Sequence, residues 1–330
     1  MDKILITGGA GYIGSHMVHY LIREGYPAEN IIVIDNLERG HKEFLPEFIH
    51  FIKGDLLDQS LLKYTFKTYQ IDTVIHFAGY AYVGESIEEP GMYFRNNIIC
   101  GLNILETMRQ FQCKRIIFSS TCATYGIPNK TPITEESEQV PINPYGQSKL
   151  TFEKILPWYD TLFGIKSIIL RYFNVGGADF GIGELHNPET HIIPLTLYAA
   201  LGKISSVKVF GNDYETPDGT CMRDYLHITD LIDAHFKSME FLRKTGESDT
   251  FNLGSGKAVS VNEIISIVKN IVKTDFSVIT IERRQGDPAI LIADASKAKA
   301  KLHWEPQKRI EDIINSAFEW YSTYFNKLLM

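Results

Sequence analysis

The chain has 330 residues, 44% of them hydrophobic, so it can bury a large core and we expect it to divide into two domains. Its net charge of −7 argues against nucleic acid as a primary partner, because a phosphate backbone binds basic surfaces. The four cysteines are scattered without a C-x-x-C pair, so the sequence predicts no metal site and no disulfide framework. No apolar run reaches the length of a membrane span, and a glycine loop starting at Gly8 leaves no room for a signal peptide, so we expect a cytoplasmic protein.

The chain opens with a strand-like apolar run at 4–6, which leads into a glycine-rich loop and then into a helical pattern. The spacing of Gly8, Gly11 and Gly14 fits the short-chain form of the dinucleotide fingerprint, in which glycines permit a tight turn and bring the pyrophosphate to the positive end of a helix. The next predicted strand ends at Asp35. A carboxylate there accepts hydrogen bonds from the adenosine ribose and repels a 2′-phosphate, so the motif favours NAD over NADP.

Strand-like and helical patterns continue to alternate as far as residue 175. We predict strands at 3–7, 31–35, 51–55, 73–78, 115–120 and 165–175, and helices at 14–24, 57–69, 93–110 and from residue 145. Pro157 lies inside the last helix and should kink or end it. Asp55, at the end of the third strand, either reads the adenine edge or caps the turn that follows. Such alternation, with strands apolar throughout, predicts an α/β fold with a Rossmann-type, doubly wound parallel sheet.

A threonine, a tyrosine and a lysine mark the candidate reaction centre. Tyr145 and Lys149 are four residues apart in a predicted helix, so they share a face, and the ammonium group favours the ionised form of a phenol whose ordinary pKa is about 10. Thr121 ends the fifth strand, at the edge where a parallel sheet binds its ligands. The three side chains predict alcohol oxidation: the phenolate takes the hydroxyl proton, Thr121 relays it, and the carbon delivers hydride to a nicotinamide.

Beyond residue 176 the alternation loosens into shorter units. We predict strands at 207–211, 250–253 and 276–283 and a helix from residue 229, and Ser260 with Glu263 forms a capping box that opens a helix at Val261. We therefore expect residues 1–175 to form the dinucleotide-binding domain, with some later segments returning to it. Residues 176–330 should form mainly a smaller, interleaved α/β domain that binds the substrate.

The chain resembles the UDP-glucose 4-epimerases, which belong to the extended short-chain dehydrogenases/reductases. The likeness runs nearly end to end, and its motifs are T-G-G-A-G-Y-I-G-S-H (7–16), V-I-D-N-L (33–37), H-F-A-G (76–79), V-G-E-S (83–86), N-N-I (96–98), F-S-S-T (118–121), Y-G-Q-S-K (145–149), L-R-Y-F-N (170–174), F-G-N-D-Y (210–214), D-G-T-C-M-R-D-Y-L-H (218–227), F-N-L-G-S-G (251–256) and R-R-Q-G-D (283–287). The resemblance implies tightly held NAD that oxidises C4 of UDP-glucose or UDP-galactose, a 4-keto sugar that turns over and is reduced on its other face, and a role in galactose metabolism. It also implies a homodimer formed through helices at 93–110 and 145–156.

The resemblance assigns roles residue by residue. Tyr145 matches the catalytic base, Lys149 the lysine that tunes it, and Thr121 the proton relay. The positions that match cofactor contacts are Gly8, Gly11, Tyr12, Ile13, Gly14, Asp35, Asn36, Asp55, Leu56, Phe77, Ala78, Gly79, Asn97, Lys149 and Tyr172. The positions that match substrate contacts are Thr121, Tyr145, Asn174, His191, Ile192, Phe210, Arg223, Arg284 and Asp287. Two arginines in this set suit a diphosphate, which guanidinium groups bind bidentately.

Four positions depart from the usual family pattern or leave it open. Ala81 stands where many relatives have a lysine, so one cationic contact to the pyrophosphate is missing. His191 and Ile192 replace an asparagine and a leucine, and His191 either donates to the diphosphate or uracil or is a buried structural histidine. Leu291 falls where relatives vary between tyrosine and small residues, a position that controls the room for a 2-acetamido group, and its intermediate size leaves that specificity open.

Other activities on the same scaffold compete with epimerisation. A nucleotide-sugar 4,6-dehydratase needs an acid and a base, which such relatives carry as an Asp-Glu pair directly after the threonine. Here Cys122 and Ala123 follow Thr121, and alanine transfers no proton, which argues against dehydration. A decarboxylase on the same scaffold is an equally near alternative, whereas a net alcohol dehydrogenase and a non-catalytic NAD-sensing protein rank lower. The UDP-binding stretches would be idle in a simple dehydrogenase, and sensing proteins commonly lose the tyrosine or the lysine.

Overall fold

The computed structural model of the chain describes residues 2–284 and 287–327. Its strands are β1 Ile4–Thr7, β2 Ile31–Asp35, β3 His50–Lys53, β4 Thr73–His76, β5 Arg115–Thr121, β6 Lys166–Tyr172, β7 Asn174–Gly176, β8 Ser206–Phe210, β9 Met222–His227, β10 Asp249–Leu253, β11 Ala258–Ser260, β12 Ser277–Ile281 and β13 Ile290–Leu291. Its α-helices are α1 Tyr12–Arg23, α2 Gln59–Tyr69, α3 Val83–Glu88, α4 Pro90–Phe94, α5 Cys100–Gln110, α6 Pro144–Phe163, α7 Ile192–Ala200, α8 Ile228–Thr245, α9 Val261–Val272, α10 Ser296–Leu302 and α11 Ile310–Lys327. Two residues of the R-R-Q-G-D stretch, 285 and 286, lie outside the described residues.

A seven-stranded parallel sheet in the order β10-β6-β5-β4-β1-β2-β3 forms the centre of the molecule. The strand order reverses at β1, so the loops after β1 and β4 diverge and open a crevice at the carboxyl edge. Thr7 pairs with Ile34 on one side and with His76 on the other, which brings the loops after β1, β2 and β4 to the same edge. The prediction of a Rossmann-type, doubly wound sheet is confirmed.

Helices cover both faces of this sheet because successive strand residues point to opposite sides. Ile4 and Ile6 of β1 pack with the apolar faces of α1, α8 and α10, whereas Leu5 packs on the opposite side with α2, α5 and α6. Each of these strand side chains is fully buried. The sheet is therefore the middle layer of three, and its carboxyl edge is left for loops.

The second half of the chain divides its elements between two regions. α8 and β10 return to the large sheet, with β10 forming its edge beside β6. β7, β11 and β13 pair with β9, and β12 pairs with β8. α7, α9 and α11 share a separate apolar core. We propose that these last elements form the substrate domain expected from the sequence, starting near residue 176. Within the described part of the chain, no helix combines the length and apolar character needed to cross a membrane.

Several predicted element boundaries were wrong. The helix predicted at 93–110 is interrupted by a π-helical turn at Arg95–Ile99. The strand predicted at 165–175 is two strands, β6 and β7, that belong to different sheets. Pro157 does not end α6, which continues to Phe163 with the proline on its exposed side, so of the two outcomes expected there an end of the helix is excluded.

Candidate active site

The start of α6 holds Tyr145 against the end of β5. Asn143 caps the helix by accepting a 2.8 Å hydrogen bond from the Gly146 N–H, and Pro144 occupies the first turn. Thr121, the last residue of β5, caps the short 3₁₀ turn that follows by accepting a hydrogen bond from the Ala123 N–H at 3.1 Å. A Cβ atom on Gly146 would lie 2.5 Å from the carbonyl oxygen of Ala123, so only glycine allows this approach of the two segments.

The close approach joins two of the predicted catalytic side chains. The hydroxyl of Thr121 lies close enough to the phenol of Tyr145 to lower its pKa, and both residues are buried. Thr121 pairs with Tyr172 in the sheet, so the predicted cofactor residue Tyr172 lies at the same strand end. A hydroxyl that lies between a phenol and a ligand bound in the crevice can pass a proton from one to the other.

Lys149 lies one helical turn beyond Tyr145 and is 5% exposed. Its ammonium group donates a 3.0 Å hydrogen bond to the Ser119 carbonyl and lies 5.0 Å from the centre of the Phe118 ring. Burial lowers the pKa of Lys149 to about 8, and the nearby carboxylate of Glu153 acts in the opposite direction. Lys149 therefore places a positive charge at the end of β5, and its ammonium group loses a proton more readily than that of an exposed lysine.

The pKa of Tyr145 is shifted in the direction opposite to the one the sequence predicted. Burial raises this pKa, the neighbouring Tyr172 raises it further, and only the hydrogen bond with Thr121 lowers it. The expectation of a lowered pKa rested on the charge of Lys149 together with that of a nicotinamide cation. In the protein itself the hydrogen bond of Lys149 goes to Ser119, and burial of the phenol outweighs the remaining contributions.

The glycine loop after β1 has the geometry that its spacing predicts. Gly8 has φ +68°, and a Cβ atom there would lie 2.6 Å from the backbone nitrogen of Ala78. A Cβ on Gly14 would lie 2.3 Å from the carbonyl oxygen of Gly8. Gly11 caps α1 without a side chain, and the first turn of α1 contains no acidic residue. The first N–H groups of α1 therefore point, with the positive end of the helix, towards an anion site.

The acidic residues predicted to bind the adenosine end lie beside this loop. Asp35 accepts hydrogen bonds from the Ala10 N–H at 3.0 Å and from the Leu37 N–H at 2.8 Å, one at each carboxylate oxygen. Asp55 caps the turn at Leu57 with a 2.8 Å hydrogen bond and accepts a second, of 3.1 Å, from the side chain of Asn36. The capping role considered for Asp55 is therefore present, and the amide of Asn36 links the two loops.

Arg39 follows Asp35 closely in sequence, but a carboxylate holds it. Its guanidinium lies 2.6 Å from Glu85 and 4.5 Å from the centre of the Tyr82 ring. The hydrogen bond with Glu85 raises the pKa of Arg39 against the effect of burial. A guanidinium engaged in this way is not free to bind a 2′-phosphate, which agrees with the preference for NAD that Asp35 predicts.

Asn97 connects the cofactor edge with the catalytic helix. It lies in the π-helical turn, accepts a 2.8 Å hydrogen bond from the Tyr80 N–H, and donates one of 2.9 Å to the Ser148 hydroxyl. A Cβ on Gly79 would lie 3.2 Å from both the Asn97 amide oxygen and the Lys149 nitrogen. Sequence reasoning missed the role of Ser148, which only its place between Tyr145 and Lys149 could have suggested.

Four of the predicted cofactor residues also hold the loops at this edge of the sheet in place, by packing or by hydrogen bonding. The Tyr12 hydroxyl donates a 2.7 Å hydrogen bond to the Gly177 carbonyl and so ties the glycine loop to the second half of the chain. Leu56 is buried on the α2 side of the sheet, while Ile13 and Phe77 pack at the edge of the opposite core. These side chains fix the loops that carry them.

The residues predicted to bind the substrate converge from three strands and a loop. Arg223 on β9 is 8% exposed and lies 2.5 Å from the carboxylate of Asp287. The guanidinium of Arg284 lies 3.8 Å from the centre of the Phe210 ring, at the end of β8. Asn174 starts β7, directly beside β9. Asp287 is ion-paired with Arg223, so the two guanidinium groups and this carboxylate together leave a net positive charge for an anionic ligand.

Leu291 connects this region with the catalytic strand end. It is paired with Arg223 in the sheet and packs in a small apolar cluster with Cys122, Tyr125 and Phe173. The charge of Arg223 also lowers the pKa of the Cys122 thiol, although burial dominates and raises that pKa to about 12. The predicted substrate and catalytic residues therefore lie side by side.

His191 has partners other than those considered for a ligand contact. It occupies the capping position before α7, and its Nδ1 lies 2.9 Å from a carboxylate oxygen of Glu184 and 2.9 Å from one of Glu189. These carboxylates, Glu184 first, raise the pKa of His191 to about 10 against the effect of burial. Ile192 begins the helix behind it, so the structural role considered for His191 is the one its contacts support.

Comparisons with known proteins agree with this geometry. The family model described as GDP-mannose 4,6 dehydratase matches residues 5–317. The UDP-glucose 4-epimerase of Halalkalibacterium halodurans is 46% identical over 324 residues, covering 97% of this chain and 96% of that protein. The crystal structure of the Brucella ovis UDP-glucose 4-epimerase in complex with NAD has a TM-score of 0.93 and 42% identity, covering 97% of this chain and 98% of that one. The Bifidobacterium longum enzyme in complex with NAD+ and UDP has a TM-score of 0.92 and 36% identity, covering 98% and 99% of the two chains. With relatives this similar along almost its whole length, the chain belongs to the UDP-glucose 4-epimerase family of extended short-chain dehydrogenases/reductases.

Proposed function

We propose that this chain interconverts UDP-glucose and UDP-galactose by inverting the configuration at C4, with tightly bound NAD. The observation that carries the proposal is the placement of the Thr121 hydroxyl near the Tyr145 phenol at the carboxyl edge of the sheet, with Lys149 one helical turn away. Relatives named UDP-glucose 4-epimerase and structures of such enzymes with NAD and UDP support it.

The chain's residues fit NAD on structural grounds. A Cβ on Gly8 or Gly14 would collide with backbone, so the loop leaves its surface to a ligand, and the uncapped N–H groups of α1 suit a pyrophosphate. Asp35 keeps lone pairs for a ribose, and Lys149 lies beside Gly79 where the resemblance puts the nicotinamide ribose. When bound, NAD supplies the hydride acceptor and later the hydride donor.

The side chains of the site move the proton and hold the sugar. Tyr145 accepts the proton of the 4-hydroxyl, directly or through Thr121, as the C4–H bond breaks, and it returns the proton when the hydroxyl is restored. Lys149 stabilises the phenolate by its charge. Because the oxidation and the reduction take place at the same carbon, no net oxidant is consumed.

Substrate orientation falls to residues away from the reacting carbon. Arg223 and Arg284 neutralise the diphosphate, Phe210 and Asn174 border the nucleotide, and Asp287 orients Arg223 through their ion pair. An arrangement that grips the nucleotide rather than the sugar leaves the 4-keto sugar free to present its other face.

Dehydration on the same scaffold is the nearest alternative, and the matching family model carries a dehydratase description. Removing water across C5 and C6 needs a group that accepts a proton and one that donates it. The two positions after Thr121 offer neither, since Ala123 has no ionisable group and burial raises the pKa of Cys122 to about 12. Epimerisation is the reaction that these residues support.

The test is turnover by the purified protein without added NAD. We expect UDP-galactose to be converted to UDP-glucose, as measured by anion-exchange chromatography. A requirement for stoichiometric NAD, or a 4-keto-6-deoxy product, contradicts the proposal. Tyr145→Phe should abolish turnover and leave NAD bound, which also separates an enzyme from a protein that only senses NAD. Tyr159→Phe on the same helix is the matched control, because its hydroxyl bonds only Glu106 on the exposed side.

We also propose a homodimer formed through α5 and α6. Trp158 and Leu162 of α6 are 66% and 64% exposed, and Ile99, just before α5, is also exposed. Large apolar side chains left in solvent on adjacent helices suit a contact with a second copy. Light scattering after gel filtration should give twice the monomer mass for the wild type, and Trp158→Glu should give the monomer mass.

A cytoplasmic location completes the proposal. Cys100, Cys113, Cys122 and Cys221 are all free thiols, the state maintained by a reducing compartment. Fractionation of cells that express the natural protein should place it with the cytoplasmic fraction. Recovery with the envelope fraction contradicts this location.

A further inference from the structure

The geometry points to a zinc site formed by Glu184, His186, Glu189 and His191, in the segment between β7 and α7. One ligand atom from each residue, a carboxylate oxygen or a ring nitrogen, lies within 4.8 Å of the others. The predicted sequence roles had left out three of these residues and placed only His191, as a substrate contact. Zinc binding here is independent of the epimerase reaction.

The ligand atoms converge on a common point. Nδ1 of His186 and Nδ1 of His191 each lie 2.9 Å from the same oxygen of Glu184. Glu189 lies 2.9 Å from His191 through one oxygen and 3.9 Å from His186 through the other. In a tetrahedral zinc site with metal–ligand bonds of about 2.0–2.2 Å, neighbouring ligand atoms are about 3.4 Å apart. The separations run from 2.9 Å to at most 4.8 Å, on both sides of that value, so side-chain adjustments of about 1 Å would accommodate the ion.

Two of these candidate ligand atoms lack a hydrogen bond of acceptable geometry. Nδ1 of His186 and Oε2 of Glu189 are buried, and neither makes a hydrogen bond of acceptable geometry within the part of the chain that the structure describes, although Nδ1 of His186 lies 2.9 Å from Glu184. The side chain of Glu189 is only 4% exposed, so no bulk water compensates for its orphaned oxygen. A buried carboxylate oxygen without a donor is costly, whereas a cation that binds both atoms would satisfy them together.

The charges of the cluster also favour the binding of a cation. Two carboxylates, whose side chains are only 6% and 4% exposed, face the two imidazole rings of the cluster, so negative charge is concentrated where there is little access to water. Glu184 and Glu189 also raise the pKa of the Tyr12 phenol, so their field extends into the glycine loop. A divalent cation bound by two neutral histidines and two carboxylates gives a neutral cluster.

The surroundings indicate a structural ion. The Glu184 carbonyl accepts a 2.6 Å hydrogen bond from the Tyr321 hydroxyl, and the Leu185 carbonyl lies 2.8 Å from Nε2 of His41. Four protein ligands close a tetrahedral zinc site, whereas a catalytic zinc keeps one position for water. Imidazole with carboxylate is a donor set that zinc accepts. Zinc here would join the cofactor loop, through Tyr12 and its neighbours, to the start of α7.

The experiment uses the full-length protein and zinc alone. Protein stripped with dipicolinate is titrated with zinc chloride by calorimetry, and its zinc content is then measured by mass spectrometry after gel filtration. We expect one equivalent per chain, and a rise in Tm of roughly 5 °C at a free zinc concentration about 100 times the Kd. Cobalt(II) in place of zinc should give the intense visible absorption of a tetrahedral complex, which reads the site directly in the wild type.

Variants assign the binding to these residues. Glu184→Gln and His186→Gln should lose the zinc equivalent and the zinc-dependent rise in Tm. His19→Gln is the matched control, since His19 is a partly buried histidine that bonds the Phe44 carbonyl outside the cluster. Wild-type protein that binds no zinc and gains no stability from it overturns the proposal and leaves a network of one protonated histidine and two carboxylates. Zinc binding that persists in both cluster variants overturns it as well.

Discussion

Replacing Lys149 by methionine separates the charge of this lysine from its packing. Methionine keeps an unbranched stem in a site where Lys149 is 5% exposed, and it removes the ammonium group. The Cβ atoms of residues at positions i and i+4 of a helix are about 5–6 Å apart, and we take about 6 Å as the separation of the ammonium from the phenol oxygen. At an effective dielectric constant of about 20, a unit charge at that distance stabilises a phenolate by about 2.8 kcal/mol, or about 2 pKa units.

The variant should therefore be a weaker base at neutral pH, and it should recover as the pH rises. Because burial already raises the pKa of Tyr145, losing the nearby charge moves that pKa higher still. Below the pKa, the phenolate fraction falls tenfold per pH unit, so we expect kcat near neutrality to drop about 100-fold. The whole pH–rate profile should move to alkaline pH by about 2 units, without a change in shape.

The assay is the rate of UDP-galactose conversion from neutral to alkaline pH, with bound NAD measured on the same samples. Measuring NAD matters because the resemblance also puts Lys149 against the nicotinamide ribose. Lys154→Met, an exposed lysine on the same helix, controls for the loss of a positive charge. A Lys149→Met profile that superimposes on the wild type refutes the electrostatic role. So does a loss of activity that high pH fails to restore while NAD stays bound.

Three further outcomes follow from the same contacts. Thr121→Val removes the relay hydroxyl, so kcat should fall by about 10²-fold or more, whereas Thr121→Ser should keep most of it; equal steady-state rates for both variants would contradict the relay. Leu291→Ala should raise kcat/KM for UDP-N-acetylglucosamine relative to UDP-glucose, and an unchanged ratio would argue against this position as a specificity determinant. Because the side chain is buried, the variant should also lower the free energy of unfolding by about 2–5 kcal/mol in denaturant titrations. Burial lowers the pKa values of His16 and His235 to about 4, whereas the unfolded chain takes up these protons near pH 6.5. The free energy of unfolding should therefore fall by up to about 1.4 kcal/mol per histidine for each pH unit below about 6.5. A stability that stays constant down to pH 5 would contradict this prediction.

The cofactor half of the site was predictable because its geometry is local. A strand, three glycines and a helix start are consecutive in sequence, and the clashes that a Cβ would cause at Gly8 and Gly14 involve backbone within this unit or the strand paired with it. Tyr145 and Lys149 are likewise fixed by helical spacing. In each case the residues that must meet are joined by one regular element.

Features that depend on distant partners were not predictable in this way. The edge place of β10 requires its pairing with β6, about eighty residues earlier in the chain, and nothing in the strand itself specifies that partner. The π-helical turn that aims Asn97 at Tyr80 and Ser148 has an ordinary helical pattern. The spacing E-x-H-x-x-E-x-H of residues 184–191 follows no helix or strand period, so only the folded loop shows that the four side chains meet.

The direction of the pKa shift at Tyr145 depends on burial, which the helical spacing of Tyr145 and Lys149 does not predict. Spacing places a positive charge one helical turn from the phenol, but burial is a property of the whole fold, and it is the largest influence on the pKa of Tyr145. The hydrogen bond of Lys149 to the Ser119 carbonyl fixes the charge at the strand end, close to Gly79. A nicotinamide cation at that edge would add a second positive charge to the same small, buried volume. The base is therefore a joint property of the protein and its cofactor: burial raises the pKa of Tyr145, and the positive charges of Lys149 and a bound nicotinamide would act against that rise.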